Sequence, residues 1–314
     1  MTTLITGACG FVGSFLSQRF LADGEKVVAY DIAPSTNLLN RLLSDQQQKS
    51  ISIVQGDLLD LPLMLRVARQ HKVNRIVHLG CMVTAPTRAN PGLAQAVNVV
   101  GTNNVFEMAL EIGAPRVVWA STIDVFGPKS VSADGIVRND AAYDPQGVYG
   151  GTKVMNEISS KDYARDFGLD PVAIRIPAAF GPEIPRSWAR FIPNLIRSVV
   201  AGEVGQAPKL TKVMPWLYVE DIADAFRRAC DIPRSDTVAF TLGGDEKGID
   251  VVIDLVRKLF PNAKPFTPID WPDFGTVPSY DGSQARAALQ WSPKWGLEGG
   301  LKRIAEFYQA HPTR

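Results

Sequence analysis

The chain has 314 residues, 33 Lys+Arg against 32 Asp+Glu, a formal net charge of +1 and a hydrophobic fraction of 46%. That length can bury a large core and suits one large α/β domain or a domain with a smaller lobe. The charge balance gives no electrostatic reason for a nucleic-acid or membrane partner, no apolar run is long enough to span a bilayer, and Cys9, Cys81 and Cys230 are too few and too scattered for a disulfide framework or a metal cluster.

The opening residues, Met1-Thr2-Thr3-Leu4-Ile5-Thr6-Gly7, already read as a strand and lack the charged start of a signal peptide. Together with the sparse cysteines they point to a reducing, cytoplasmic setting. Further short runs rich in β-branched residues fall at 26–31, 51–55, 75–79, 116–120, 172–176 and 238–242. Most are nearly continuously apolar, as strands buried on both faces of a parallel sheet are. Helical patterns lie between them. Residues 93–112 carry Leu93, Val97, Val100, Phe106 and Leu110 and stop at Gly113-Ala114-Pro115, while 149–167 end at Gly168.

This alternation predicts an α/β fold, a Rossmann-type doubly wound parallel sheet. After Ile176 the texture changes. Prolines recur at 177, 182, 185, 193, 208 and 215, Trp188 and Trp216 appear, and a second Pro/Trp-rich stretch covers 261–295. The expectation is a nucleotide-binding domain at 1–176, with 217–243 returning to it, and a smaller substrate-binding lobe from 177–216 and 244–314.

The first strand runs into Gly7-Ala8-Cys9-Gly10-Phe11-Val12-Gly13. Glycines there permit a tight turn, close approach of backbone to a pyrophosphate and close packing of the following helix, whose N-terminal N–H groups face the phosphates. Asp31 ends the next strand, near the roughly 20-residue offset at which an acid meets the adenosine ribose hydroxyls. No Arg follows it in Ile32-Ala33-Pro34-Ser35, so NAD is favoured over NADP.

Tyr149-Gly150-Gly151-Thr152-Lys153 sets a phenol and an ammonium four residues apart, on one face of a helix. A cation beside a phenol favours the phenolate and lowers its pKa. Ser121-Thr122 follows the strand at 116–120, at the sheet edge where ligands bind in this architecture. A hydroxyl there can hold a substrate oxygen beside the tyrosine.

Together these residues resemble the extended short-chain dehydrogenase/reductase superfamily, which includes the NAD-dependent epimerases and dehydratases. The resemblance spans nearly the whole chain. It also rests on Gly56-Asp57-Leu58, His78-Leu79-Gly80, Asn98-Val99-Val100-Gly101-Thr102, Trp216-Leu217-Tyr218-Val219-Glu220-Asp221-Ile222-Ala223, Trp291-Ser292-Pro293 and Leu297-Glu298-Gly299-Gly300-Leu301. It implies Thr122, Tyr149 and Lys153 as catalytic hydroxyl, base and activator. It implies NAD held by Gly7, Gly10, Phe11, Val12, Gly13, Asp31, Asp57, Leu58, Leu79, Asn98, Tyr149, Lys153 and Ile176. A small-molecule substrate would meet Thr84, Asp124, Arg186 and Trp216. No metal site is expected, and the two long helices imply a homodimer.

Three departures narrow the chemistry. Met214 stands where nucleotide-sugar members carry a diphosphate-binding Arg, and no Arg occurs in Thr276-Val277-Pro278-Ser279-Tyr280. A diphosphate without cationic partners is poorly held, although Arg186, Arg190, Lys209 and Lys212 could compensate. Ile123-Asp124 replaces the Asp-Glu pair of sugar dehydratases. The segment Ser121-Thr122-Ile123-Asp124-Val125-Phe126-Gly127-Pro128 is instead similar to that of short-chain-type L-threonine dehydrogenases. The favoured expectation is oxidation of a secondary alcohol of a small sugar, sugar acid or hydroxy acid, with Arg186 or Arg190 gripping any carboxylate. The alternatives are an epimerase that keeps its NAD and a non-catalytic NAD sensor.

Overall fold

The computed structural model describes residues 1–184, 188–271 and 277–312. Seven parallel strands form the central sheet: β1 (Thr2–Thr6), β2 (Lys26–Asp31), β3 (Ile51–Gln55), β4 (Arg75–His78), β5 (Arg116–Thr122), β6 (Asp170–Ile176) and β7 (Ala239–Thr241). Their spatial order is β7-β6-β5-β4-β1-β2-β3. The order reverses between β1 and β4, which opens a crevice at the carboxyl ends of those strands.

The apolar runs behave as strands buried on both faces. In β5, Val118 and Ala120 join one hydrophobic cluster while Val117 and Trp119 join another. Helix α1 (Phe11–Ala22) packs against the later helix Val219–Ala229 on one side. Helices Leu61–Gln70 and Gly101–Glu111 pack together, and Met64, Val105 and Phe106 belong to the second cluster. Among the described residues no helix is long and apolar enough to cross a membrane.

The late chain does return to the sheet: β7 pairs with β6, Ala239 opposite Ala173. Two further features extend that return. Ser279–Tyr280 pairs with Ile136–Val137, and helix Ser283–Leu289 packs on β7. The helix Val219–Ala229 starts with Glu220 and Asp221 and ends with Arg227 and Arg228, matching the charges of its dipole. Asp221 accepts hydrogen bonds from the Lys294 and Trp295 amides at 2.7 and 3.2 Å. Trp291 Nε1 donates to the Asp221 carbonyl at 3.1 Å. Two segments separated by seventy residues are thereby joined. Outside the main sheet, strands Ala178–Phe180, Val213–Tyr218 and Asp245–Gly248 form a second, three-stranded sheet.

The region expected as one helix over 93–112 is interrupted. Pro91–Gln95 is α-helical, Ala96–Val100 forms a π-helical turn, and Gly101–Glu111 resumes the α-helix. The extra residue of a π-turn re-aims side chains without breaking the helix, which apolar periodicity cannot report. Here it points Asn98, fully buried, at the loop after β4. Asn98 Oδ1 accepts from the Met82 amide at 2.7 Å, and Nδ2 donates to the Met82 carbonyl at 2.9 Å.

A buried ion pair locks the other flank of the crevice. The Arg175 guanidinium on β6 binds the Glu157 carboxylate bidentately, at 2.9 and 2.6 Å. Ser121 Oγ donates to Glu157 Oε1 at 2.6 Å and the Tyr143 hydroxyl to Oε2 at 2.7 Å. Arg175 also donates to the Asn139 carbonyl at 2.7 Å and lies over the Phe126 ring at 4.8 Å. Removing one partner of such a pair leaves a buried charge uncompensated. Arg175→Ala is therefore expected to cost about 3–5 kcal/mol of stability, read as a lowered midpoint in urea unfolding.

Candidate active site

The glycine loop has a shape that only glycine fits. Gly7 has φ +68°, and a Cβ on it would meet the Gly80 amide nitrogen at 2.8 Å. A Cβ on Gly13 would stand 2.2 Å from the Gly7 carbonyl oxygen. The first turn of α1 is thus pressed onto the β1 turn. Gly10, its N-cap, offers no side-chain cap, so the N-terminal amides remain available to an anion.

Asp31, at the end of β2, leans over this loop. Its Oδ2 accepts the Cys9 amide at 3.0 Å and its Oδ1 the Ala33 amide at 3.2 Å. Burial and the Asp31 charge push the Cys9 thiol up to about 11. Gly56 lies against the Tyr30 ring, and the Tyr30 hydroxyl donates to the Asp57 carbonyl at 2.8 Å. Leu58 fits between Gly80 and Gly101. The strand registers bring Gly7, Asp31, Asp57, Leu58, Leu79, Thr122 and Ile176 to one edge of the sheet. Phe11 and Val12, partly buried, begin the helix above it. A cradle of backbone amides closed by glycines, with an acid beside it, fits a dinucleotide.

Thr122 is the last residue of β5, two residues further than the apolar run shows, and pairs with Ile176. The helix that faces it, α2 (Val148–Asp166), begins just before Tyr149. Its inward face is polar: Thr152, Lys153, Asn156, Glu157 and Ser160 are all buried. Lys153, 1% exposed, donates from Nζ to the Ala120 carbonyl at 2.8 Å. Gly150 lies so close to the β5 turn that a Cβ there would sit 2.1 Å from the Asp124 carbonyl oxygen.

The Tyr149 phenol is held well above its ordinary pKa by burial first, then by Cys81 and Asp124. The Thr122 hydroxyl hydrogen-bonds to it and works in the opposite direction. Sequence reasoning assigned the lowering to Lys153. In the structure that ammonium is bonded to a strand carbonyl, and the lowering contact is Thr122. Asp124 keeps solvent-exposed surface, and its charge acts on the Tyr149 phenol. Desolvation raises its carboxyl, and the Arg88 charge opposes this. His78, expected as a packed histidine, is 1% exposed, with Nδ1 at 2.6 Å from Thr6 Oγ1 and Nε2 at 3.0 Å from Thr102 Oγ1. Burial, aided by the Lys153 charge, lowers it to about 3, so it is neutral.

The remaining expected residues divide. Thr84 opens the short helix Thr84–Ala89 and is exposed. Trp216 is 1% exposed, packed against Phe180 and Phe191, with Nε1 donating to the Lys247 carbonyl at 2.8 Å. It belongs to the core rather than to an open substrate wall. Asn98 uses its amide on Met82 and on Thr152 Oγ1, at 3.2 Å. Arg190 caps helix Phe191–Val200, its guanidinium 5.8 Å from the Trp271 ring centre. Arg186 lies outside the described residues. Among the described residues no group of three or more His, Cys, Asp or Glu could hold a metal ion. Sequence reasoning passed over Cys81, Gly150 and Glu157. Only Glu157 had a usable signal, since it continues the spacing of Tyr149 and Lys153 by one more helical turn.

A model of the NAD dependent epimerase/dehydratase family matches residues 3–243. The UDP-glucose 4-epimerase of Mycolicibacterium smegmatis is 28% identical, covering 98% of this chain and 99% of its own. The D-erythronate dehydrogenase of Cupriavidus necator is 29% identical over 226 residues, covering 69% of this chain and 68% of its own. The crystal structure of Thermus thermophilus UDP-glucose 4-epimerase in complex with NAD superimposes with a TM-score of 0.82 at 21% identity, covering 99% of this chain and 100% of that one.

The contact at Gly150 gives a direct test of the site's geometry. Gly150→Ala must push the Thr122–Asp124 turn away from Tyr149, and turnover is expected to fall about 100-fold. Gly151→Ala, with nothing within 4 Å of its Cβ, should change little. Steady-state rates of the two variants decide this.

Proposed function

This chain belongs to the NAD-dependent epimerase/dehydratase family, and from that premise we propose a dehydrogenase that oxidises a secondary alcohol of a small sugar, sugar acid or hydroxy acid. The observation that carries the reading is the hydrogen bond between the Thr122 hydroxyl and the Tyr149 phenol, with Asp124, two residues past Thr122 in the β5 turn, packed against Gly150 of the same helix. Ile123 replaces the second acid that elimination of water would use. Met214, 4% exposed, replaces the diphosphate-binding arginine. The likeness to D-erythronate dehydrogenase supports a small hydroxy acid.

When bound, NAD supplies the hydride acceptor. Residues 1–176 with 217–243 would hold it, and 177–216 with 244–314 would shape the substrate side. The chain's own part is proton handling and positioning. Thr122 donates to or accepts from the substrate oxygen and stabilises the Tyr149 phenolate. Tyr149 takes the hydroxyl proton as the carbinol hydride leaves, so that alcohol becomes ketone. Lys153 ties the helix to β5 and keeps positive charge beneath the site.

An epimerase is the second reading, favoured by the full-length likeness to UDP-glucose 4-epimerase. It would use the same three residues and return the hydride to the opposite face. NAD content per chain after purification separates the two. An empty site that binds NAD reversibly, with NADH released from a hydroxy compound, supports the dehydrogenase. Stoichiometric NAD retained through purification transfers the assignment to the epimerase.

The outward face of α2 carries exposed Val148, Met155 and Ile158, beside exposed Leu93 and Val100 of the neighbouring helical segments. This apolar strip supports a homodimer, to be checked by light scattering.

The pH profile follows from the neighbours of the phenol. Oxidation needs Tyr149 deprotonated, so kcat/KM rises with pH through its kinetic pKa. Asp124→Asn removes a negative charge beside it and is expected to move that rise to lower pH. Thr122→Ala removes the stabilising hydrogen bond and should move it higher. A profile of both variants that leaves the rise in place would overturn the assignment of Tyr149 as base.

A further inference from the structure

The turn that follows Thr122 is held from two parts of the chain. From the first half, the Asp124 amide donates to Thr122 Oγ1 at 3.2 Å and the Asp144 amide to the Val125 carbonyl at 3.0 Å. From the far end comes Tyr280. Its half-buried ring packs on a small hydrophobic cluster of Val125, Phe126 and Val137, with the Tyr280 and Phe126 ring centres 6.4 Å apart. Val125 and Phe126 close the turn, and the same Phe126 ring meets the Arg175 guanidinium at 4.8 Å.

The strand that carries Tyr280 is two residues long, and so short a pairing is marginal by itself. Its surroundings fix it. Ser279 and Tyr280 pair in parallel with Ile136 and Val137, and the Asp281 amide donates to the Val137 carbonyl at 3.0 Å. Ser279 Oγ donates to Glu246 Oε2 at 2.7 Å, and Glu246 lies opposite Pro215 in the second sheet. Asp281 accepts from the Ser283 amide and hydroxyl at 2.8 and 2.9 Å. Gly282 is pressed onto Gly243, just past β7: a Cβ on it would stand 2.4 Å from the Gly243 amide nitrogen. A series of fixed contacts thus runs from the second sheet through Ser279 and Tyr280 to the turn beside Thr122.

We propose that Tyr280 is a positioning residue whose ring, supplied by the C-terminal chain, holds the turn Ile123–Val125 so that Thr122 meets the Tyr149 phenol. The inference rests on Thr122 and Tyr149 as the reacting pair, which the dehydrogenase and epimerase readings share. A cluster of three buried side chains has few neighbours to keep its shape. Loss of an aromatic neighbour leaves a void into which the turn relaxes. A shift of about 1 Å at a reacting group is enough to lower turnover steeply. Among the described residues the Tyr280 hydroxyl has no hydrogen-bond partner, so the ring is the part that acts.

The test compares Tyr280→Ala with Tyr280→Phe in the full chain. Amide hydrogen exchange, read by mass spectrometry, should become faster over residues 121–127 in the alanine variant and stay unchanged over the glycine loop at 7–13. NAD affinity, by calorimetry, should be kept. Turnover of small sugars, sugar acids and hydroxy acids, read as NADH or as an epimer, should fall roughly 10- to 100-fold in kcat with the KM for NAD unchanged. The phenylalanine variant should recover most of that loss, and Tyr280→Leu serves if the alanine variant folds poorly. Exchange in the turn that stays at its original rate overturns the proposal. So does faster exchange with kcat unchanged, which makes Tyr280 a packing residue alone, and so does a phenylalanine variant as slow as the alanine one. If the unaltered chain turns over no compound, the functional reading falls, while the exchange rates still judge the hold of Tyr280 on the turn.

Discussion

The geometry of the whole site depends on one buried carboxylate. Glu157 has both oxygens filled, each by one guanidinium nitrogen of Arg175 and one hydroxyl, from Ser121 or Tyr143. Through these four bonds, α2 is fixed to the ends of β5 and β6 and to the segment before the helix. A buried ion pair of this kind adds little net stability over apolar packing, because desolvation offsets the attraction. What it supplies is direction. Apolar contacts would let α2 slide or rotate by a fraction of a turn, whereas a fully saturated carboxylate admits one register.

The register matters because the candidate catalytic residues lie along the same face. Glu157, Lys153 and Tyr149 lie at successive helical turns, so fixing the first places the others. Lys153 adds a second anchor on the Ala120 carbonyl, two residues before Thr122. Gly150 then lets the β5 turn come against the helix where any larger residue would hold it off. On the opposite flank, Asn98 performs the corresponding task for the loop that carries Cys81. The two flanks use the same device: a buried polar side chain that exhausts its hydrogen bonds on backbone or on a saturated partner.

Much of this was legible in the sequence, and for physical reasons. Strands buried on both faces are apolar throughout, so their positions could be read directly, to within two residues at β5 and β6. The glycine loop and Asp31 were legible because the backbone shape demands specific residue types at fixed offsets. The spacing of Tyr149 and Lys153 put both on one helix, as α2 has them. The interior face of α2 was harder. It is buried but polar, so it leaves no apolar periodicity. The π-turn at Ala96–Val100 is equally silent, since it changes hydrogen bonding without changing composition. Trp216 misled for the converse reason: an aromatic next to a motif suits a substrate wall or a core, and only packing distinguishes them. Cys81 gave no signal in the sequence because its contact with Tyr149 comes from a distant part of the chain.

The place of β7 has a consequence for biosynthesis. Arg175 and Ile176 sit on β6, whose outer neighbour is not made until residues 239–241. While the ribosome adds the intervening sixty or so residues, the nascent sheet ends in a strand with unpaired amides and carbonyls, beside a carboxylate–guanidinium pair still open on one side. Such an edge is a template for pairing with another chain. The proline-dense segment that follows Ile176 is poorly suited to adding a strand there, because proline lacks the amide a ladder needs. The edge of β6 is thus closed only when the late strand docks beside it.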